Sequence, residues 1–175
     1  SFPDPDAVAQ VVDLLRNAER PVILIGGGAN YSGAGVAILA LAEILLAPVV
    51  NSPTSRGVLP ETHPLVLGAS GIIGYEPIGD AIREADLVLA IGSRLSDLQT
   101  SRGELLPIGA PLIQIDIDPA AIGREYPVTV ATVADAKAFA EALNTIIEGT
   151  PLNVPDARRN WVASLDQRYA AWRVD

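Results

Sequence analysis

Two stretches of the chain, VILIG at 22–26 and LVLAIG at 87–92, are apolar without interruption, and a third, PLIQIDID at 111–118, is nearly so until its carboxylates. A strand that is apolar at consecutive positions is covered on both faces, which is the condition of a parallel sheet with helices on each side. The segments between them have helical spacing. DPDAVAQVVDLLRNAERP sets Val8, Val11, Val12 and Leu15 on one stripe, and Pro21 is expected to close it. AGVAILALAEILL at 34–46 carries Glu43 as its only charge, so it is expected to be buried on more than one side. EPIGDAIREAD gives a further helix, and AKAFAEALNTIIEG another, with Asp135 as its N-cap and Gly149 as its stop. APVVN, a small strand at LVLG inside the Gly-, Pro- and Ser-rich segment 52–75, and VTVATV complete the strands. The alternation predicts an α/β fold, a doubly wound parallel sheet whose ligands sit beyond the carboxyl ends of the strands. Those ends are Gly26–Gly28, Asn51–Thr54, Gly92–Arg94 and Asp116–Asp118.

At 175 residues the chain is long enough for one domain with a sizeable core. Its mean hydropathy of +0.31 comes from the buried strands, since no apolar run reaches the roughly 18 residues of a membrane span. The formal net charge of −9 and the lack of a Lys/Arg cluster speak against nucleic acid as a partner. Zero cysteines exclude disulfides and thiolate chemistry and favour a cytoplasmic location. Met is absent, even at position 1, which reads as a segment of something longer.

The glycines after the first strand fit neither of two common phosphate loops. A dinucleotide fingerprint from Gly26 needs a glycine at 31, where Tyr31 stands, and an acidic residue after the second strand, where Asn51 stands. Gly28 to Gly33 has the spacing of a P-loop, but Ala34 replaces its lysine. What remains is either an anion cradle of free backbone N–H groups or a plain tight turn. His63, the sole histidine, sits in a Pro-flanked loop and reads as a solvated side chain. Asp80 in IGDAI falls within a helix, so its likeness to a Gly-Asp metal motif is accidental. Asp116 and Asp118 either cap the turn or helix that starts at Pro119 or present a carboxylate to a ribose. Arg94 either pairs on the surface or meets a pyrophosphate.

TPLNVP reads as a linker, which divides the chain into 1–149 and 150–175. The tail helix places Trp161, Leu165, Tyr169 and Trp172 on one face, either to pack on its own domain or to dock on a neighbouring one.

Taken together, RPVILIGGGA, LAPVVNSPTSRGVLPETHPLVLG, ADLVLAIGSRLSD and IQIDIDPAAIGREYPVTVATVADAKA, in that order and spacing, resemble the central domain of thiamine-diphosphate-dependent enzymes of the acetolactate synthase, pyruvate oxidase and benzoylformate decarboxylase type. The resemblance covers residues 5–148 and implies a Rossmann-like, six-stranded sheet between two flanking domains that bind thiamine diphosphate and magnesium, in a homodimeric or homotetrameric parent. The family's Gly-Asp-Gly…Asn motif and its cofactor-facing glutamate have no counterpart here, so the resemblance implies a non-catalytic domain without metal ligands. Carried over position by position, a nucleotide would touch Gly26, Gly27, Gly28, Ser52, Pro53, Thr54, Arg56, Gly71, Gly74, Gly92, Arg94, Asp116, Ile117, Asp135 and Ala136. Arg94 would meet its pyrophosphate and Asp116 its adenosine. In flavin-binding acetolactate synthases the segment resembles GxRFDDR, where this chain has Leu98 in place of an arginine, and Met-His stands where Ile72-Ile73 stands here. FAD, ADP and no nucleotide at all therefore stay open for this domain. The alternative from another class is a stand-alone nucleotide-binding module, such as an electron-transfer-flavoprotein-like FAD domain. A sirtuin-like deacylase is disfavoured by zero cysteines and by the position of His63.

Overall fold

The computed structural model describes residues 2–72 and 74–173 and, of Trp172 and Arg173, the backbone alone. Six strands, β1 (Pro21–Ile25), β2 (Val49–Asn51), β3 (Val66–Ala69), β4 (Leu87–Ile91), β5 (Leu112–Asp116) and β6 (Val130–Val133), form one sheet in the order β3-β2-β1-β4-β5-β6. Every neighbouring pair is parallel. The chain winds outward from β1 to β3, then crosses back to β4 beside β1. The strand order therefore reverses between β1 and β4, and a crevice opens there at the carboxyl ends.

Alternate side chains of each strand serve opposite cores. Ile23, Ile25, Leu89 and Ile113 pack beneath α1 (Pro5–Asn17), α3 (Gly35–Leu45) and α6 (Ala136–Gly149). Val22, Leu24, Val88 and Ala90 pack beneath α4 (Glu76–Arg83) and α7 (Asp156–Arg173). β1 and β4 are buried at every position, as their unbroken apolar runs require. Each large aliphatic side chain removed from water contributes about 1.5–3 kcal/mol, which makes these two cores the main stabilising term.

The helix rich in apolar residues is explained by its two neighbours. Ile38, Leu41, Ala42 and Leu45 face the sheet, while α6 covers a second side, with Asn144 Nδ2 donating to the Ala37 carbonyl at 2.9 Å. Two boundaries depart from the sequence expectation. α1 ends at Asn17 and Pro21 begins β1, because the Asp86 carboxylate accepts the Glu19 and Arg20 N–H groups at 2.8 Å each and turns the chain early. Asp118-Pro119 opens a run of turns rather than a helix, with Asp118 Oδ1 accepting the Ala120 N–H at 3.0 Å.

α7 packs on its own domain. Trp161 and Leu165 are buried in the second core, and Tyr169 donates its hydroxyl to the Leu67 carbonyl of edge strand β3. Trp172, expected on the same face, has a side chain outside the described residues. Arg158 was not anticipated. Only 1% exposed, its guanidinium donates to the carbonyls of Leu15, Ala18 and Leu45, the C-terminal ends of α1 and α3. Helix C-termini carry unsatisfied carbonyls and partial negative charge, so a buried cation is accommodated there without a carboxylate partner. Burial pushes its pKa down, with Asp86 opposing.

Candidate functional site

A cleft of about 720 Å³ lies at the carboxyl ends of the strands, where the sheet order reverses. Its walls are the exits of β1, β2, β4, β5 and β6. They bring together Gly26, Gly27, Gly28, Ser52, Thr54, Gly92, Arg94, Asp116, Ile117, Asp135 and Ala136. Four residues implied by the resemblance stand elsewhere. Pro53 starts a 3-10 turn over 53–55, and Arg56 forms a two-point ion pair with Glu61, at 3.1 Å for both contacts. Gly71 lies against α5 (Asp97–Thr100), where a Cβ would overlap the Leu98 carbonyl oxygen at 1.6 Å, and Gly74 lies against Ala69 and Ser70. Neither lines the cleft; Gly71 packs on α5 and Gly74 on the end of β3. Leu98 is exposed, and Ile73 lies outside the described residues.

The glycine segment is a packing device at least as much as a cradle. It forms a short helix, α2 (Gly27–Tyr31), laid against the end of β4. A Cβ on Gly26 would fall 2.3 Å from the Gly92 carbonyl oxygen, and one on Gly28 2.8 Å from Gly92 Cα. A Cβ on Gly92, whose φ is +58°, would fall 2.6 Å from the Ala29 nitrogen. The three glycines let two backbones touch. The amides are largely spent in that contact: Gly26 N–H donates to Ile91, Gly28 N–H to Gly92 and Ala29 N–H to Gly26. Gly27 N–H makes no such contact among the described residues, so the expected row of free donors is much reduced. Gly27 also keeps the cleft open, because a Cβ there would stand 3.3 Å from Thr54 Oγ1.

Hydroxyls and amides fix the floor. Ser55 Oγ donates to the Ile25 carbonyl at 2.8 Å and binds Ser52, whose Oγ in turn meets Thr54 Oγ1 at 3.0 Å. Ser93 Oγ donates to Gln99 Oε1 at 2.5 Å and accepts the Leu95 N–H, while the Gln99 backbone carbonyl accepts from Ser70 Oγ. Ser93 and Gln99 are buried, and with Asn30, Ser32 and Ser96 they line the cleft without having been singled out in the sequence; Tyr31, noted there only as a missing glycine, lines it too. Serine and glutamine at strand exits carry no spacing that marks them, and their pairing is visible only in three dimensions. Neither amide atom of the fully buried Asn51, at the end of β2, has a partner among the described residues.

Among the described residues, the charged side chains on the cleft wall are one guanidinium and two carboxylates. Arg94 is mostly exposed and reaches Asp118 Oδ2 at 3.6 Å. Asp116, 7% exposed, accepts the Asp118 N–H on Oδ1, and Asp135 caps α6 by accepting the Ala138 N–H, both at 3.0 Å. Each carboxylate bond uses one oxygen and leaves the other capable of accepting a hydroxyl. Such a set can hold a sugar by its hydroxyls and one anionic group by its cation.

The remaining sequence candidates are occupied elsewhere. Asp80 pairs with Arg83 at 2.7 Å on the surface of α4. His63 Nε2 faces Glu43 Oε1 at 3.2 Å, and its Nδ1 accepts the Leu65 N–H. Among the described residues no three His, Asp or Glu side chains gather to hold a metal ion. No helix of the described residues is long and apolar enough to cross a membrane.

Residues 8–143 match the family of the thiamine pyrophosphate enzyme central domain. The chain is 40% identical over 133 residues to a probable acetolactate synthase large subunit of Methanococcus aeolicus, covering 76% of this chain and 22% of that protein. It is 41% identical over 141 residues to a probable 2-ketoarginine decarboxylase of Pseudomonas aeruginosa, covering 81% and 24%. With a sulfoacetaldehyde acetyltransferase of Roseovarius nubinhibens it shares 35% identity over 170 residues, covering 95% and 28%. The chain thus spans about a quarter of the length of the curated relatives it matches, 22% to 28%. With its reversing parallel sheet, its strand-end cleft and a match over most of its length, this chain belongs to the thiamine pyrophosphate enzyme central domain family.

Proposed function

We propose that this chain is the non-catalytic central domain of a larger thiamine-diphosphate-dependent enzyme acting on 2-keto acids, and that its cleft holds a nucleotide of the FAD or ADP class. The observation that carries the nucleotide reading is the convergence, in one cleft, of a guanidinium, carboxylates with a free oxygen, and small hydroxyls and glycines from five strand exits. Arg94 would bind the pyrophosphate, Asp116 would accept the adenosine hydroxyls, and Ser52 and Thr54 would line the passage between strand exits. Thiamine diphosphate, held by flanking domains, supplies the electron sink for 2-keto acid chemistry when bound. This chain's own share is to hold the scaffold rigid and to keep the cleft shaped. Relatives named for a synthase, a decarboxylase and an acetyltransferase match it at 35% to 41% identity, which supports a part common to several reactions rather than the seat of one. In that reading the parent assembles as a homodimer or homotetramer.

Calorimetric titration of the 175-residue chain with FAD and with ADP tests the cleft. Micromolar uptake of one of them, weakened about tenfold or more by Arg94→Ala, is the expected result, since a charge-assisted contact to phosphate contributes about 1.5–3 kcal/mol. Yellow colour retained on purification would single out FAD. No heat with either nucleotide would sink the nucleotide reading and leave the cleft as the crevice of a spacer domain.

A further inference from the structure

Two buried glutamines hold the turn that carries Arg94. Gln114 stands beyond Leu112 on the same side of β5, and Gln99 stands on α5. A buried amide is costly unless its donors and acceptors are met, and these are met largely by the β4 exit. Gln114 Nε2 donates to the Ser93 carbonyl at 3.0 Å and to the Ala121 carbonyl at 3.3 Å, while its Oε1 accepts the Gly123 N–H at 2.8 Å. Gln99 Oε1 accepts from Ser93 Oγ, which in turn accepts the Leu95 N–H at 3.2 Å. Arg94 lies between these anchors. The Ser93 carbonyl belongs to the peptide plane that enters Arg94, and the Leu95 N–H to the plane that leaves it. Peptide planes are close to rigid, so fixing both leaves Arg94 little freedom in φ and ψ and sets the direction of its Cβ. The turn needs such a hold. Gly92 and Leu95 bracket it at φ +58° and +52°, and Leu95 is a buried leucine in a left-handed conformation that persists only where its surroundings impose it. Through Ala121 and Gly123, Gln114 also ties down the turn after Asp118, whose carboxylate stands 3.6 Å from the Arg94 guanidinium.

We propose that Gln114 and Gln99 are positioning residues, which lock the backbone on either side of Arg94 and so aim its guanidinium at the anionic group of the ligand. The inference rests on the nucleotide reading given above for what Arg94 meets. It adds that the aim is set from beneath, in part by Gln114, which stands outside the cleft lining.

The test is a double-mutant cycle on the full chain. Wild type, Gln114→Met, Arg94→Ala and the double variant are titrated with ADP and with FAD, and thermal unfolding of each shows that it is folded. Methionine matches glutamine in length and keeps the space filled, but has no N–H to donate. A residue that acts through Arg94 has nothing to act on once Arg94 is gone. Gln114→Met should therefore weaken binding about tenfold in the wild-type chain and leave the Arg94→Ala chain unchanged. Equal weakening in both backgrounds overturns the proposal, because Gln114 would then serve the fold alone, and undiminished binding by Gln114→Met overturns it too. Should Gln114→Met not fold, Gln99→Met takes its place in the same cycle with the same outcomes. A second readout needs no ligand. Amide hydrogen exchange at Leu95 should speed about tenfold in Gln99→Met while the amides of β1 keep their rates, and an unchanged rate at Leu95 overturns the lock. Failure of the wild type to bind either nucleotide overturns the underlying reading, and the exchange rates then decide the lock by themselves.

Discussion

At the scale of single residues, glycines decide whether the cleft can exist. Gly92 satisfies two demands together, a left-handed backbone and contact with α2, whereas Gly33, at φ +65°, has open space where a Cβ would go. The left-handed conformation alone costs a non-glycine residue about 1–2 kcal/mol. Gly33→Ala is therefore expected to lower the free energy of unfolding in urea by about that amount. Gly92→Ala should lower it by about 3 kcal/mol or more, because the β1 and β4 exits must also move apart. Equal costs for the two substitutions would mean that the close approach is not limiting. The glycines themselves were legible in the sequence as a strand exit beside a helix. Which carbonyl they approach was not, because the partner Gly92 is more than sixty positions along the chain.

At the scale of elements, α7 shows how a helix of low amphipathicity can still be fixed in place. Trp161, Leu165, Tyr169 and Trp172 were legible as sharing one face, though not which way that face turns; Arg158 and Glu84 were not legible, since a charged residue in a polar segment reads as solvated. Arg158→Ala would leave three helix-end carbonyls without donors and a space where the side chain was, and is expected to cost about 2–4 kcal/mol in chemical unfolding. Arg158→Lys should recover only part of this, because an ammonium on a flexible stem does not present the planar fork of a guanidinium. Glu84, on the turn after α4, accepts two hydrogen bonds from Arg168, at 2.6 and 2.8 Å, and one from Trp161 Nε1 at 2.8 Å. Arg168 chiefly, with help from Trp161 and against the opposing effect of burial, holds its carboxyl below the ordinary value of 4.5. A lowered pKa in the folded state means stability that is present above 4.5 and lost as pH falls through the folded value. The pair is partly solvated, so its worth is at most about 1 kcal/mol. The stability gap between wild type and Glu84→Gln should therefore be open at neutral pH and close in acid, and a gap independent of pH would assign Glu84 a packing role only.

At the scale of the whole molecule, the sheet was the most legible part. Strands buried on both faces leave a one-letter pattern that needs no partner to interpret, and β1, β4 and β5 fell where that pattern put them. The limits of α1 were less legible, because a side chain from a distant turn, Asp86, sets where the helix stops. The proposed division at residue 149 is open to direct test. Trp161 and Leu165 fill the same core as Val22, Leu24 and Ile82, so a chain ending at Gly149 would expose that core and the edge strand β3. Such a chain is expected to unfold at a lower temperature and to self-associate, as seen by calorimetry and sedimentation. Unchanged melting and a monodisperse monomer would make α7 an ornament on a complete domain.

The fastenings along α7 also define a path for force. A pull applied at residue 173 would load Tyr169 and its bond to β3 first, then the Glu84 cluster, and last the guanidinium of Arg158 among the helix ends. The attachments would give way in turn, like the teeth of a zip, with the most deeply buried one last. Tension on this side of the domain would be spent on the strap before it reached the cleft.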